Sequence, residues 1–466
     1  MNTCQIVPPY ILEALARSDD PTVAARARES LTHGKELRAG RRGMPAAPTT
    51  KPTPRAKPGR PDAPARTVGD AHDKQATPGT TVRTEGGPPT GDPAADEAYD
   101  GLGDTWTFYS AVFQRNSVDG KSLPLIATVH YGKGYDNAFW NGQQMVFGDG
   151  DGVVFGRFTS SIDVIGHELT HGVTQYTAGL NYQGQSGALN ESVSDVFGSL
   201  VKQYHLGQSA SAADWLIGAD LLAPGVKGRA LRDMLHPGTA YDDPQLGKDP
   251  QPADMSCYVD TSDDNGGVHL NSGIPNRAFA LAATALGGNA WETVGPIWYA
   301  VLTGAEIRAD CDFATFAGLT VSASQATGVE PAVTAAVQQA WVTVGVLSAS
   351  TPASPSSAGG RGKKKSGKPT APSTPAAPST VVLTRSGGFA GTTKQAQVSL
   401  TDLPDEDTSA WETLLASSTL QRLAGERSHP DAYTYSVRCA DLDVTVSEPH
   451  LPPDIHSLFE RTLHAG

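Results

Sequence analysis

The chain has 466 residues, 38 % of them hydrophobic and 18 % charged, with 50 glycines, 34 prolines and a formal net charge of −13. That length suits two or three domains, and the acidic balance excludes a typical nucleic-acid-binding protein, which is basic overall. The four cysteines, Cys4, Cys257, Cys311 and Cys439, lie far apart with no C-x-x-C pair. This excludes a thiolate zinc cluster or a disulfide-stapled scaffold, while leaving Cys257 and Cys311 able to pair.

The first residues lack the basic start and apolar run of a signal peptide, and no stretch reaches 18 uninterrupted apolar residues. The expectation is therefore a chain either released without a classical signal or kept in the cytoplasm, with no membrane partner and no nucleic-acid partner. Pro8 and Pro9 precede a short helical pattern from Tyr10 to Ala16. Proline suits a helix entry, but so small a segment cannot bury its apolar face alone and must dock or stay partly unfolded. From about residue 34 to 65, Arg41, Arg42, Pro52, Pro54, Lys57 and Pro58 mark a flexible, basic linker.

Residues 66 to 348 form the main globular block. Its first part alternates short apolar runs with turns, as in Leu125 to Tyr131, and reads as β-rich. From Ile162 the apolar period becomes helical. The apolar stretch Ala278 to Thr303, interrupted by Gly287, Gly288, Asn289 and Glu292, predicts two core helices, and a further helix is expected around Ala335 to Val342. Residues 349–379 are a Ser/Pro/Ala/Gly-rich linker. Residues 380–466 recover order as a small α+β domain, with strands at Val381–Leu383 and Tyr433–Val437 and a helix over Ser409–Leu423.

The chemistry centres on His167-Glu168-Leu169-Thr170-His171. On a helix, positions four apart share a face, so both imidazoles can reach one ion. Glu168 lies beside them, able to hold the water without ligating. Twenty residues after His171, Glu191 and Asp195 are again four apart on a predicted helix. Two histidines and one carboxylate leave a fourth position for water, the donor set of a catalytic zinc. Asp195 is placed to accept the second ring N–H of a ligand, His167. A third element, Asp263-Asp264-Asn265-Gly266-Gly267-Val268-His269, has glycines for a tight turn. There Asp264 could orient His269 towards a developing oxyanion.

These strings resemble the thermolysin metalloprotease family. The resemblance rests on Asn137 to Trp140, Gly148 to Gly152, Ile162 to His167, Tyr176 to Leu180, Gly187 to Glu191 and Asp264 to His269, in order across residues 66–348. It implies an α+β fold of two lobes, β-rich over 66–205 and helical over 206–348, with the zinc helix at the bottom of the cleft. It also implies a peptidase in which His167, His171 and Glu191 ligate Zn2+, Glu168 activates water, and Tyr182 and His269 stabilise the oxyanion. Asp264 orients His269, Asn137 and Ala138 pair with the substrate backbone, and Arg232 contacts substrate beside the leaving-group pocket. A bulky apolar residue is expected on the leaving side of the cut bond.

The family's double calcium site draws on several acidic residues. Asp163 and Asp214 match two of them, but Lys202, Leu216 and Ala219 occupy other matching positions. Calcium needs six to eight oxygens, so the double site is expected to be lost, leaving at most one weak Ca2+. Residues 1–45, with Pro8-Pro9-Tyr10, resemble the short propeptide of the protealysin-like subgroup, followed by a linker over 46–65. Cys4 could place a thiolate on the zinc in such a precursor. Residues 380–466, from Leu383-Thr384-Arg385-Ser386 to Leu451-Pro452-Pro453-Asp454-Ile455, resemble emfourin, a protein inhibitor of protealysin. The expected partners are therefore protein or peptide substrates, the chain's own propeptide, and 380–466 acting on the active-site cleft. A substrate-binding or surface-attachment module is the alternative for that last domain.

Overall fold

The computed structural model describes residues 4–41, 63–326, 331–348, 380–387, 394–399, 433–439, 442–448 and 453–465, with single positions between 403 and 451. The chain divides into two compact units, 1–354 and 355–466.

The N-terminal segment forms a strand, β1 (Cys4–Gln5), and two helices, α1 (Pro9–Leu15) and α2 (Pro21–Arg41). Pro8 caps α1 in an extended conformation and Pro9 opens it, where a missing N–H costs nothing. Ile6, Val7, Ile11, Leu12, Leu15 and Val23 are all buried and share one core with residues between Val68 and Val344. Each such side chain contributes roughly 1.5–3 kcal/mol on burial; docking is how a segment too small for a core of its own becomes ordered. Helix α2 continues to Arg41, past the point where the composition turns basic, because Lys35, Glu36, Leu37 and Arg38 are good helix formers.

In the following lobe a six-stranded sheet has the order β1-β5-β6-β4-β2-β3. It is built from β2 (Arg66–Asp70), β3 (Thr80–Thr84), β4 (Leu125–Val129), β5 (Ala138–Trp140) and β6 (Met145–Phe147). Pairs β2–β4 and β4–β6 are parallel, the others antiparallel. The edge strand β5 takes β1 as its neighbour, with Cys4 opposite Trp140 and Gln5 opposite Phe139. One long helix, α3 (Pro93–Phe113), was not expected in this β-rich stretch. Its start is written in the sequence, since Asp92 accepts from Ala94 N–H and Pro93 occupies the first turn. Its interior glycines, Gly101 and Gly103, hide the pattern because they stand where neighbours come close. A methyl on Gly101 would lie 2.3 Å from Ile165.

Helices α4 (Ile162–Gln175) and α5 (Gly184–Leu206) cross at the centre of the unit. Glycine allows their close approach: a Cβ on Gly198 would meet the Asp163 carbonyl oxygen at 2.4 Å and the His167 nitrogen at 3.0 Å. This crossing sets the distance between the His167 turn and the Glu191 turn. The helical part continues with α6 (Asp264–Asn271), α7 (Gly273–Leu286), α8 (Gly295–Thr303), α9 (Phe313–Ala326) and α10 (Pro331–Thr343). The two helices expected within 278–303 and the one near 335–342 are all present. Cys257 and Cys311 do not pair; the first is exposed and the second buried.

In the second unit, four antiparallel strands, Thr380–Gly387, Lys394–Ser399, Tyr433–Cys439 and Leu442–Ser447, form one sheet. A helix, Pro453–Ala465, lays Leu458, Phe459 and Leu463 on a core with Trp411, Tyr435 and Val437. Most of the helix expected over Ser409–Leu423 lies outside the described residues.

Candidate active site

Helix α4 is buried along its length. It presents His167 and His171 towards α5, with their Nε2 atoms 3.0 Å apart. Glu191 on α5 approaches both, its oxygens 3.6 Å from each Nε2. Donors held at about 2.0–2.1 Å around one tetrahedral ion lie ~3.3 Å from each other, so these spacings fit a shared zinc. The far ring nitrogens agree. His167 Nδ1 faces the Asp195 carboxylate at 2.8 Å and His171 Nδ1 faces Asn190 Oδ1 at 2.9 Å. If each Nδ1 carries the proton, each Nε2 is left with a lone pair, and two lone pairs face one point. Burial is the main cause pushing His171 down to about 3, which keeps it neutral as a ligand must be. These three residues form the one candidate metal-binding group among the described residues.

Glu168 sits beside this group with no exposure to solvent. One oxygen accepts the Trp140 N–H at 2.8 Å, while Oε1 is buried without a hydrogen-bond partner. Burial first, and the Glu191 carboxylate second, push Glu168 well above the ordinary glutamate range. Opposite lies His269. Its Nδ1 and its backbone N–H bond to Asp264 at 2.7 and 2.8 Å. Burial disfavours the imidazolium, but Asp264 and Glu191 outweigh it and hold His269 at about 9. Tyr182 donates to Glu191 Oε1 and lies 3.2 Å from His269 Nε2. The turn that presents Asp264 and His269 has positive φ at Asp264, Asn265, Gly266 and Gly267, which explains the two glycines.

Asp195 is the hub behind the site. Besides His167, it accepts two bonds from Arg232, both 2.8 Å, and one from Asn276 at 2.8 Å. These donors and the charge of Arg232 overcome its burial and hold Asp195 below the usual range. Sequence reasoning missed Asn190, Ser194 and Asn276. Ser194 Oγ lies 3.0 Å from His171 Nδ1. Asn190 directly precedes Glu191 and could have been found from helix spacing; Asn276 lies 81 residues from Asp195 and carries no such signal.

The remaining expected residues, Asn137, Ala138 and Arg232, all bond to the N-terminal segment. Ala138 carbonyl accepts Ile6 N–H at 3.2 Å. Asn137 Oδ1 accepts Val7 N–H at 3.0 Å, and its amide donates to Val7 carbonyl at 3.3 Å. Arg232 donates to Ile6 carbonyl at 3.0 Å, and His269 Nε2 lies 3.0 Å from Gln5 carbonyl. The segment thus crosses the cleft as an added antiparallel strand, the mode by which sheet edges hold extended peptides. The Cys4 side chain lies outside the described residues.

At the calcium-matching positions, Lys202 Nζ stands 3.2 Å from Asp163 and 2.8 Å from Asp214. An ammonium lies between the two carboxylates.

Two imidazoles and a carboxylate around one point, a buried carboxylate beside them and a phenol and imidazole opposite define a metal-dependent hydrolase. Residues 62–175 match the thermolysin metallopeptidase catalytic domain, 178–346 its alpha-helical domain, and 383–463 emfourin. An extracellular metalloprotease of Pectobacterium carotovorum subsp. carotovorum is 53 % identical over 343 residues, 74 % of this chain and 96 % of that protein. Protease PrtS of a Photorhabdus strain is 57 % identical over 258 residues, 55 % of this chain and 70 % of that protein. The precursor of protealysin, a metalloproteinase from Serratia proteamaculans, superposes with a TM-score of 0.67 at 53 % identity, covering 74 % of this chain and 100 % of that one. The chain belongs to the thermolysin metallopeptidase family and is a zinc-dependent endopeptidase made as a precursor, carrying a C-terminal emfourin domain.

Proposed function

We propose that the enzyme cuts protein and peptide chains at this site with a fixed division of labour. His167, His171 and Glu191 would hold zinc, which when bound polarises the attacking water and the scissile carbonyl. Glu168, with one oxygen engaged by Trp140 N–H, uses Oε1 to take the water proton and then delivers it to the leaving nitrogen. Tyr182 and His269 stabilise the oxyanion, His269 being held by Asp264. Asp195 fixes His167 and anchors Arg232. Asn137, Ala138 and Arg232 grip the substrate main chain. The observation that carries this reading is the extended peptide already seated in the cleft, whose carbonyls and amides meet those same residues.

The same contacts support a division of the chain in which residues 1–45 block the cleft of a precursor and 46–65 is the stretch cut on maturation. Residues 66–205 and 206–348 are then the two catalytic lobes, 349–379 a tether, and 380–466 an inhibitor acting on the cleft in cis. A tether of about thirty residues gives an effective concentration in the millimolar range. Secretion is the location that fits an endopeptidase with an extracellular relative; among the described residues, no helix is long and apolar enough to cross a membrane.

The test is a casein zymogram of the self-processed enzyme with and without a zinc chelator, beside Glu168→Ala. Chelation and the substitution should each abolish clearing. After propeptide removal, a chain ending at residue 348 should be more active than one retaining 380–466; equal activities would rule out inhibition in cis.

A further inference from the structure

The register of the N-terminal segment across the cleft is that of a substrate about to be cut. Gln5 carbonyl meets His269, the residue assigned to the oxyanion, at 3.0 Å. The next carbonyl, that of Ile6, meets Arg232 at 3.0 Å, and the next residue, Val7, is bonded on both sides by Asn137. Those three contacts bracket one peptide bond. Ile6 and Val7 on its leaving side are buried to 0 % and 1 % exposure, so the leaving side carries the bulky apolar residue that such an enzyme accepts. The leaving nitrogen of Ile6 is held by the Ala138 carbonyl.

We propose that the zinc-loaded precursor cuts its own Gln5–Ile6 bond in cis, a processing site distinct from the maturation cut in the linker. This rests on the roles given to Glu168, His269 and Arg232 above. The water oxygen bonds to the Gln5 carbonyl carbon, and the bond to the Ile6 nitrogen breaks. Glu168 carries the water proton to that nitrogen. The products are a peptide ending in the Gln5 carboxylate and a chain beginning at the Ile6 amine.

The cut trims the segment without releasing it. Beyond Ile6, the propeptide stays anchored by Ile11, Leu12, Leu15 and Val23 in the core. Further anchors are Arg26 bonded to the Asp151 carbonyl at 2.8 Å and His33 Nε2 beside the Tyr131 hydroxyl at 2.9 Å. Ahead of Ile6, the described residues have fewer anchors: β1 pairing, the Gln5 carbonyl at His269, and Gln5 Nε2 donating to the Tyr135 hydroxyl at 2.8 Å. Trimming therefore precedes maturation, and the cleft remains occupied by Ile6 and Val7.

The experiment follows full-length, zinc-loaded protein by intact mass and N-terminal sequencing, with Glu168→Ala and Ile6→Asp in parallel. The wild type should gain an Ile6 N-terminus before any cut in 46–65, at a first-order rate unchanged by tenfold dilution. Glu168→Ala should keep every residue ahead of Ile6, and Ile6→Asp should slow the cut at least tenfold. Independently of activity, hydrogen exchange in the Glu168→Ala precursor should show the Ile6 and Val7 amides protected. A released propeptide that still carries residues 1–5, from a preparation that goes on to digest casein, overturns this proposal alone. A cutting rate that rises with concentration overturns its cis character. Failure to digest casein overturns both this proposal and the peptidase reading beneath it.

Discussion

Two clusters bridge α4 and α5, and they balance their carboxylates differently. At one, His167, His171 and Glu191 converge with lone pairs facing a common point. At the other, one turn earlier on α4, Asp163 meets Lys202 of α5 and Asp214 beyond it. The same helix crossing serves both. Where chemistry is done, the protein lends only donors and relies on an external ion with a position left for water. Where the need is structural, it supplies its own ammonium, which leaves no coordination position and depends on no ion concentration. A third cluster lies between. His130 is flanked by Asp92 at 2.7 Å and Asp149 at 2.8 Å, so its cation is internal but can lose its charge.

The sharpest way to break the comparison is at the first cluster. Glu168→Ala should retain zinc by metal analysis yet lose on the order of 10³-fold or more in peptide hydrolysis, as expected for removal of a general base. Equal loss of zinc would mean Glu168 holds the ion instead. Next, Lys202→Ala leaves the Asp163 charge buried and unpaired, at a cost of about 3 kcal/mol, read from urea unfolding at fixed zinc. Calcium should not change the melting temperature of the wild type; in Lys202→Asp it should raise it, because carboxylates then crowd the position of the ammonium. A calcium-stabilised wild type would refute the self-supplied cation. A smaller effect is expected at the hub: Asp195→Asn should weaken zinc binding by roughly 10–100-fold, measured by chelator competition.

The smallest effect is a pH dependence at His130. Burial works against its charge, but the hydrogen bonds its ring donates to Asp92 and Asp149, with their negative charge, prevail and raise it to about 9. A histidine raised above its unfolded value near 6.5 stabilises fully below that pH and loses the contribution as pH climbs through about 9. The melting temperature of His130→Asn should therefore differ most from wild type below pH 6.5, and the two curves should converge above pH 9. Parallel curves across that window would show that the triad carries no titrating charge.

Much of the site was legible because helical spacing is local. His167 and His171, or Glu191 and Asp195, share a face by geometry alone, and the Asp264–His269 turn announces itself through two glycines. The strand Leu125–Val129 and helices α7, α8 and α10 followed from apolar period and punctuation. Helix α3 did not, because its glycines answer to Ile165 and Arg66 across the fold rather than to local propensity. Asn276 was equally silent, since nothing at 276 refers to position 195.

What the sequence by itself determined, then, is the donor set and its order along two helices, together with an N-terminal segment too small to stand alone. Only the tertiary structure decided where that segment docks, because its main chain finds partners at 137, 138, 232 and 269, positions brought together by folding and not by spacing. Backbone carbonyls and amides are the same at every residue, so no pattern of side chains could specify which peptide bond would lie beside His269 and Arg232.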